Sequence, residues 1–118
     1  MTELTLTTSR PATAKEVEDL ITGTGAMVYN WWSDWRPKTR NRVDGWLFNH
    51  DGPDSEEGAG DVETWVSNQQ ILDAAGRFLA EGRGGDASDM LKESIGYADA
   101  SDADVILQYA VLGEAVFG

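Results

Sequence analysis

Gly45-Trp46-Leu47-Phe48-Asn49-His50, then Asp51-Gly52-Pro53-Asp54-Ser55-Glu56-Glu57-Gly58-Ala59-Gly60-Asp61, then Val62-Glu63-Thr64-Trp65-Val66-Ser67 is the stretch that decides the fold. The two flanking runs are rich in β-branched and aromatic residues, and the connector is rich in Gly, Pro and Asp. That pattern predicts an antiparallel hairpin with strands near 45–50 and 62–67. The acidic connector at 51–61 is longer than a usual hairpin turn, which predicts a mobile loop.

Downstream, Ser67-Asn68-Gln69-Gln70 is a capping box: a hydroxyl at the cap position and an amide three residues later. Ile71, Leu72, Ala75, Phe78 and Leu79 then form a helical stripe that Gly82 closes, predicting a helix over 69–81. A shorter helix near 89–95 would turn Met90, Leu91 and Ile95 inward. Ser101-Asp102-Ala103-Asp104 reads as the acid-rich cap of a last helix over 102–117, where the macrodipole favours carboxylates. Val105, Ile106, Tyr109, Ala110, Leu112, Val116 and Phe117 cover most of its circumference, so it belongs in the core.

Upstream, Thr13-Ala14-Lys15-Glu16 is another capping box. Val17, Leu20 and Ile21 mark a helix over 14–22 that Gly23 and Gly25 end. Residues 27–35 place Tyr29, Trp31 and Trp35 at period 2; the 27, 31, 35 spacing also fits a helix, and the two preceding glycines favour a strand. Residues 1–10, with Leu4 and Leu6 among threonines, read as an arm or a short edge strand. The expected architecture is a single α+β domain over 1–118. A three-stranded antiparallel sheet packs on three to four helices, the C-terminal one in the core.

The composition of the 118 residues limits function. There is no Cys, which excludes a disulfide scaffold, a thiol nucleophile and a thiolate metal site. Nine basic residues stand against 21 acidic ones, for a net charge of −12, which opposes the approach of nucleic acid phosphates. A hydrophobic fraction of 41% with five Trp is too apolar for a disordered acidic tail. The N-terminus lacks the basic and apolar regions of a signal peptide, and no stretch is long and apolar enough to span a bilayer. The expected address is cytoplasmic, with no membrane partner. Residues 1–42 hold six basic and five acidic residues, and residues 43–118 hold three and sixteen. The chain is therefore dipolar, with its bases gathered in Arg36-Pro37-Lys38-Thr39-Arg40-Asn41-Arg42, read as a solvated loop.

Asp102-Ala103-Asp104-Val105-Ile106-Leu107-Gln108-Tyr109-Ala110-Val111-Leu112-Gly113-Glu114-Ala115-Val116-Phe117-Gly118 resembles the closing segment of a family of small acidic proteins from phages and mobile elements. In that family a similar ending follows a Trp-containing strand, a hairpin and an amphipathic helix, an order this chain shares from about Tyr29. The resemblance implies a phage-type accessory protein, cytoplasmic in a bacterial host, with an α+β fold. The family has no assigned activity, so no functional residue carries over. The Trp cluster and the 51–61 loop have no counterpart in it.

No catalytic set is complete. His50 is the single histidine and its sequence neighbour Asp51 would point away from it on a strand, no Gly-x-Ser-x-Gly elbow exists, and neither glycine run is followed by Lys-Ser/Thr as in a P-loop. The acidic loop fails the EF-hand pattern at its central and last ligands. No enzyme activity, metal or cofactor is expected. Two binding surfaces remain. In one, Asp51, Asp54, Glu56, Glu57, Asp61, Asp86 and Asp89 form an acidic face for a host protein with a basic surface, in the manner of a DNA mimic. In the other, Trp31, Trp35, Arg36, Arg40 and Trp46 form an aromatic and cationic surface over 31–46 for a nucleic acid, a carbohydrate or an apolar groove. Five Trp are also more than one small core readily hides. This points to a homodimer contact or a partner patch built from Trp31, Trp35 or Trp46.

Overall fold

The structure is a computed structural model that describes residues 4–6, 10–83 and 88–117. The elements run β1 (Leu4–Leu6), β2 (Arg10–Ala12), α1 (Ala14–Glu18), β3 (Trp32–Arg40), β4 (Val43–His50), β5 (Val62–Ser67), α2 (Asn68–Ala80), α3 (Ser88–Glu93) and α4 (Ala100–Leu112). They form the expected α+β domain. A three-stranded antiparallel sheet of order β3-β4-β5 packs against the helices, and a separate two-stranded ribbon joins β1 to β2 with Leu4 opposite Ala12.

Both capping boxes form. Thr13 Oγ1 accepts from Glu16 N, and Ser67 Oγ accepts from Gln70 N. Glu16 also reaches across the fold: its buried carboxylate accepts from Thr13 N at 3.0 Å and from Ile95 N at 3.3 Å. This ties the head of α1 to the turn after α3. α1 is shorter than predicted and widens into a π-helical turn over Asp19–Gly23. Of the stripe expected from the periodicity, α2 buries Ile71, Leu72, Ala75 and Phe78, and Leu79 is half-buried against the same core. Each large buried side chain among these contributes about 2 kcal/mol.

Direct pairing puts Trp35, Phe48 and Thr64 on one face of the sheet, with Pro37, Trp46 and Val66 beside them. This is the inner face, and Trp32, Trp46, Phe48, Val66 and His50 are buried there. The alternate positions, Arg36, Lys38, Arg40, Leu47, Glu63 and Trp65, lie on the outer face.

Three expectations are corrected. Residues 27–35 are not a strand from the start. Gly25 takes φ 88°, and bonds from Val28 N to Gly25 O and from Tyr29 N to Ala26 O wind Ala26–Val28 into a 3-10 turn. The strand begins at Trp32, and a bulge between Trp32 and Asp34 breaks the period read from the Trp spacing. The basic run is not a loop: residues 36–40 are strand, and Asn41 and Arg42 form a two-residue connection with φ 51° and 67°. Such primed turns match the twist of the strands and usually carry glycine. Pro37 is tolerated because β3 is an edge strand. Finally, α4 begins at Ala100, ahead of the expected 102, and stops at Leu112. Its cap is Asp99, whose carboxylate accepts from Asp102 N, and Gly113 at φ 85° turns the chain out of the helix.

Candidate functional site

The acidic loop begins where β4 ends, and its first carboxylate serves the loop itself. Asp51 is buried. Its two oxygens accept from Gly58 N at 2.8 Å and Gly60 N at 2.7 Å, and its own amide donates to Trp31 O at 2.9 Å. Gly58 and Gly60 take φ 81° and 59°, the left-handed conformation that presents both amides to one carboxylate. Ser55 Oγ accepts from Gly52 N and donates to Asp61, and Asn30 Nδ2 donates to Glu57. The loop is thus closed by its own hydrogen bonds. Asp51 leaves the set of partner-facing residues, because a buried carboxylate with two amide donors has no surface to offer. Asp54, Glu56, Glu57 and Asp61 remain exposed on the resulting scaffold. Asp86 lies outside the described residues, and Asp89 is described only as a position in α3.

Beside the loop lies an aromatic cleft. Trp31 stacks between Tyr29 and Phe117, with ring centroids 4.9 and 5.4 Å apart. Trp31, Phe117, Pro53 and Glu57 line a concavity of about 260 Å³. Its aromatic wall is anchored by Asp104, one of the acids in the first turns of α4. Asp104 is buried, and its Oδ1 accepts from the indole nitrogens of both Trp31 (2.8 Å) and Trp32 (2.7 Å). Its Oδ2 accepts from Gln108 Nε2 at 2.8 Å, while Gln108 Oε1 accepts from Val116 N and Phe117 N. Burial pushes the Asp104 carboxyl above the usual aspartate range, against the three donors that pull it down. One side chain of α4 therefore fixes both tryptophans and, through Gln108, the C-terminal strap that carries Phe117. The adjacent Trp31-Trp32 pair held a signal for this, since two neighbouring indole N–H groups each need an acceptor when buried.

His50 belongs to the fold. It is buried, with Nδ1 2.8 Å from Asp51 O and Nε2 2.8 Å from Thr64 Oγ1. Both ring nitrogens are therefore engaged within the fold. Among the described residues, no group of three or more His, Asp or Glu is placed to hold a metal ion. No helix among them is long and apolar enough to cross a membrane.

The structure does not bring the alternative set together. Trp46 is buried on the inner face, Trp31 stands by the C-terminal strap, and Trp35 packs near Met27 and Val28 at the sheet edge. Arg36 and Arg40 lie on the opposite face, and Arg36 is paired with Asp34. The outer face does hold a cation–aromatic contact, made by Trp65, which is not among the expected surface residues. Trp65 lies across Gly45, where an added Cβ would sit 2.8 Å from its ring, and its Nε1 donates to Lys38 O at 2.8 Å. The Arg40 guanidinium stands over that ring at 5.6 Å. Acidic loop and basic hairpin tip therefore occupy opposite ends of β4. Compared with family models, curated proteins and solved structures, the chain matches none.

Proposed function

We propose that this chain is a non-enzymatic binding protein whose acidic loop docks on the basic surface of a partner protein, in the accessory role that the C-terminal resemblance to phage and mobile-element proteins implies. The observation that carries this reading is the burial of Asp51. By accepting from the Gly58 and Gly60 amides it fixes the loop before any partner arrives. Asp54, Glu56, Glu57 and Asp61 are then displayed without the ordering cost that a floppy acidic segment meets on binding. The neighbouring cleft of Trp31, Phe117 and Pro53 adds an apolar anchor next to the charges. Partners that themselves bind nucleic acid fit this reading, since their sites carry the complementary charge.

Affinity capture from a bacterial lysate at low and high salt tests it, with Asp54, Glu56 and Glu57 together replaced by Lys in parallel. Retention of a basic protein that is lost with the reversals and with salt, and kept by Trp35→Ala, is the expected result. Capture that survives the reversals refutes it.

A second reading has one contact in its favour, the Arg40–Trp65 pair on the outer face beside Lys38 and Arg42. It predicts the opposite pattern: Arg40→Glu with Arg42→Glu abolishes capture and the acidic reversals do not.

A further inference from the structure

A different concavity lies at the far end of the sheet from the acidic loop. Beyond Trp46 the β3–β4 hairpin runs past the helices, and its inner face meets α1 and the head of α2. The cleft has a volume of about 270 Å³ and is lined by Glu18 of α1, Pro37 and Thr39 of β3, Asp44 and Trp46 of β4, and Asn68 of α2. Asn68 is only 6% exposed, and its Oδ1 is a buried side-chain oxygen with no hydrogen-bond partner. Native folds rarely leave such an acceptor empty, because the desolvation it suffers is not compensated.

The chemistry of the lining says what would satisfy it. Glu18 and Asp44 are exposed carboxylates, and Asp44 already accepts from Thr39 Oγ1 at 2.9 Å. Lys38 borders the cleft, but it is paired with Gly45, and the alternation of the strand sets it at an outer-face position with Trp65. What the side chains offer is therefore chiefly oxygen acceptors, over a floor of Trp46 and Pro37. A hydrated metal ion gains nothing from that apolar floor. A cation with several N–H donors and a short carbon stem uses both parts.

We infer that this cleft takes an alkylammonium or guanidinium group, with its N–H donors shared among Asn68 Oδ1 and the Glu18 and Asp44 carboxylates and its stem laid on Trp46 and Pro37. The site is separate from the acidic loop and stands or falls independently of what the loop binds. The same group is carried by free amines and by the lysine or arginine side chains of a protein, so the test has two arms. The ¹⁵N-labelled full chain is titrated with agmatine, and separately with an acetylated, amidated Gly-Arg-Gly tripeptide. The Asn68 side-chain amide and the Trp46 indole signals are followed.

Saturable shifts of both signals are expected in at least one arm. Agmatine alone would identify a free amine, and the tripeptide would identify a protein side chain. Glu18→Gln combined with Asp44→Asn, both at exposed positions, should weaken binding at least fivefold, while Asp54→Asn with Glu56→Gln leaves it unchanged. Three results overturn the inference: no shift in either arm, shifts unaltered in the Glu18→Gln/Asp44→Asn protein, or the same signals moving with acetate or sulfate instead. The last would mean that the positive end of α2 governs the cleft.

Discussion

Replacing Asp104 with Asn changes one atom and should unlock three elements. In the native protein Oδ1 accepts both indole N–H groups and Oδ2 accepts from Gln108 Nε2. An asparagine can keep its oxygen toward the indoles, but its amide nitrogen then faces Gln108 Nε2, donor against donor. Rotating the Gln108 amide does not help, because its Oε1 is already held by Val116 N at 2.7 Å and Phe117 N at 2.8 Å. Flipping the introduced amide instead leaves both Trp31 and Trp32 without an acceptor. Each route strands at least one buried polar group, at about 1–3 kcal/mol. The loss is partly offset because a carboxylate no longer has to be desolvated. A net cost of about 2 kcal/mol follows, or a fall in Tm of roughly 6–10 °C for a domain this size. Urea unfolding followed by near-UV circular dichroism measures it, and indole N–H resonances report whether Trp31 and Trp32 lose their acceptor. A loss under about 0.5 kcal/mol, below the range for a stranded polar group, with unchanged indole signals would refute the argument. The pH dependence carries a sign as well. Burial raises the folded-state pKa of Asp104 above the ordinary aspartate value, so the folded chain holds that proton more tightly than the unfolded chain. Its contribution to stability is present below the ordinary value and is lost as pH rises through the raised one. The stability gap between wild type and Asp104→Asn should therefore narrow as pH rises across that interval.

Arg42→Gly should stabilise the protein by about 1 kcal/mol, because a left-handed residue with a Cβ is strained; equal or lower stability in urea would contradict the turn assignment. Gly45→Ala should cost at least about 3 kcal/mol: its Cβ would lie 2.3 Å from Val66 O and 2.8 Å from the Trp65 ring, and both belong to the sheet. A cooperative melt within a few degrees of wild type would refute that packing. Asp51→Ala should speed hydrogen exchange at the Gly58 and Gly60 amides by roughly tenfold, a loss of about 1.4 kcal/mol in local protection. Unchanged exchange would mean the carboxylate does not hold the loop.

Where local chemistry decides structure, the sequence was readable. The two capping boxes, the stripe of α2 and the β4–β5 hairpin all rest on contacts close in the chain or on regular alternation, and each forms as read. What escaped depends on partners distant in the chain. Trp31 and Trp32 meet Asp104 more than seventy residues later, so nothing near either end distinguishes that acid from its solvated neighbours. Composition alone places Asp51 with the exposed acids, although two glycines in left-handed conformation turn it into the organiser of the loop. The β3–β4 turn was missed because Asn41-Arg42 lacks the glycine that announces a primed turn. Of the acidic face, the exposed members were legible from charge alone. The aromatic surface was not, because strand alternation divides its members between two faces.

The two ends of β4 also set a length scale. Eight residues of strand separate the acidic loop from the basic tip, about 25 Å at the usual rise. That is about three screening lengths at physiological ionic strength. In such salt an approaching molecule feels one pole and not the other, so Lys38, Arg40 and Arg42 can face an anionic surface although the chain carries −12 overall. In dilute buffer the screening length reaches about 30 Å and spans the whole sheet. There the protein acts as a single negative body that turns its tip toward anions while being repelled by them.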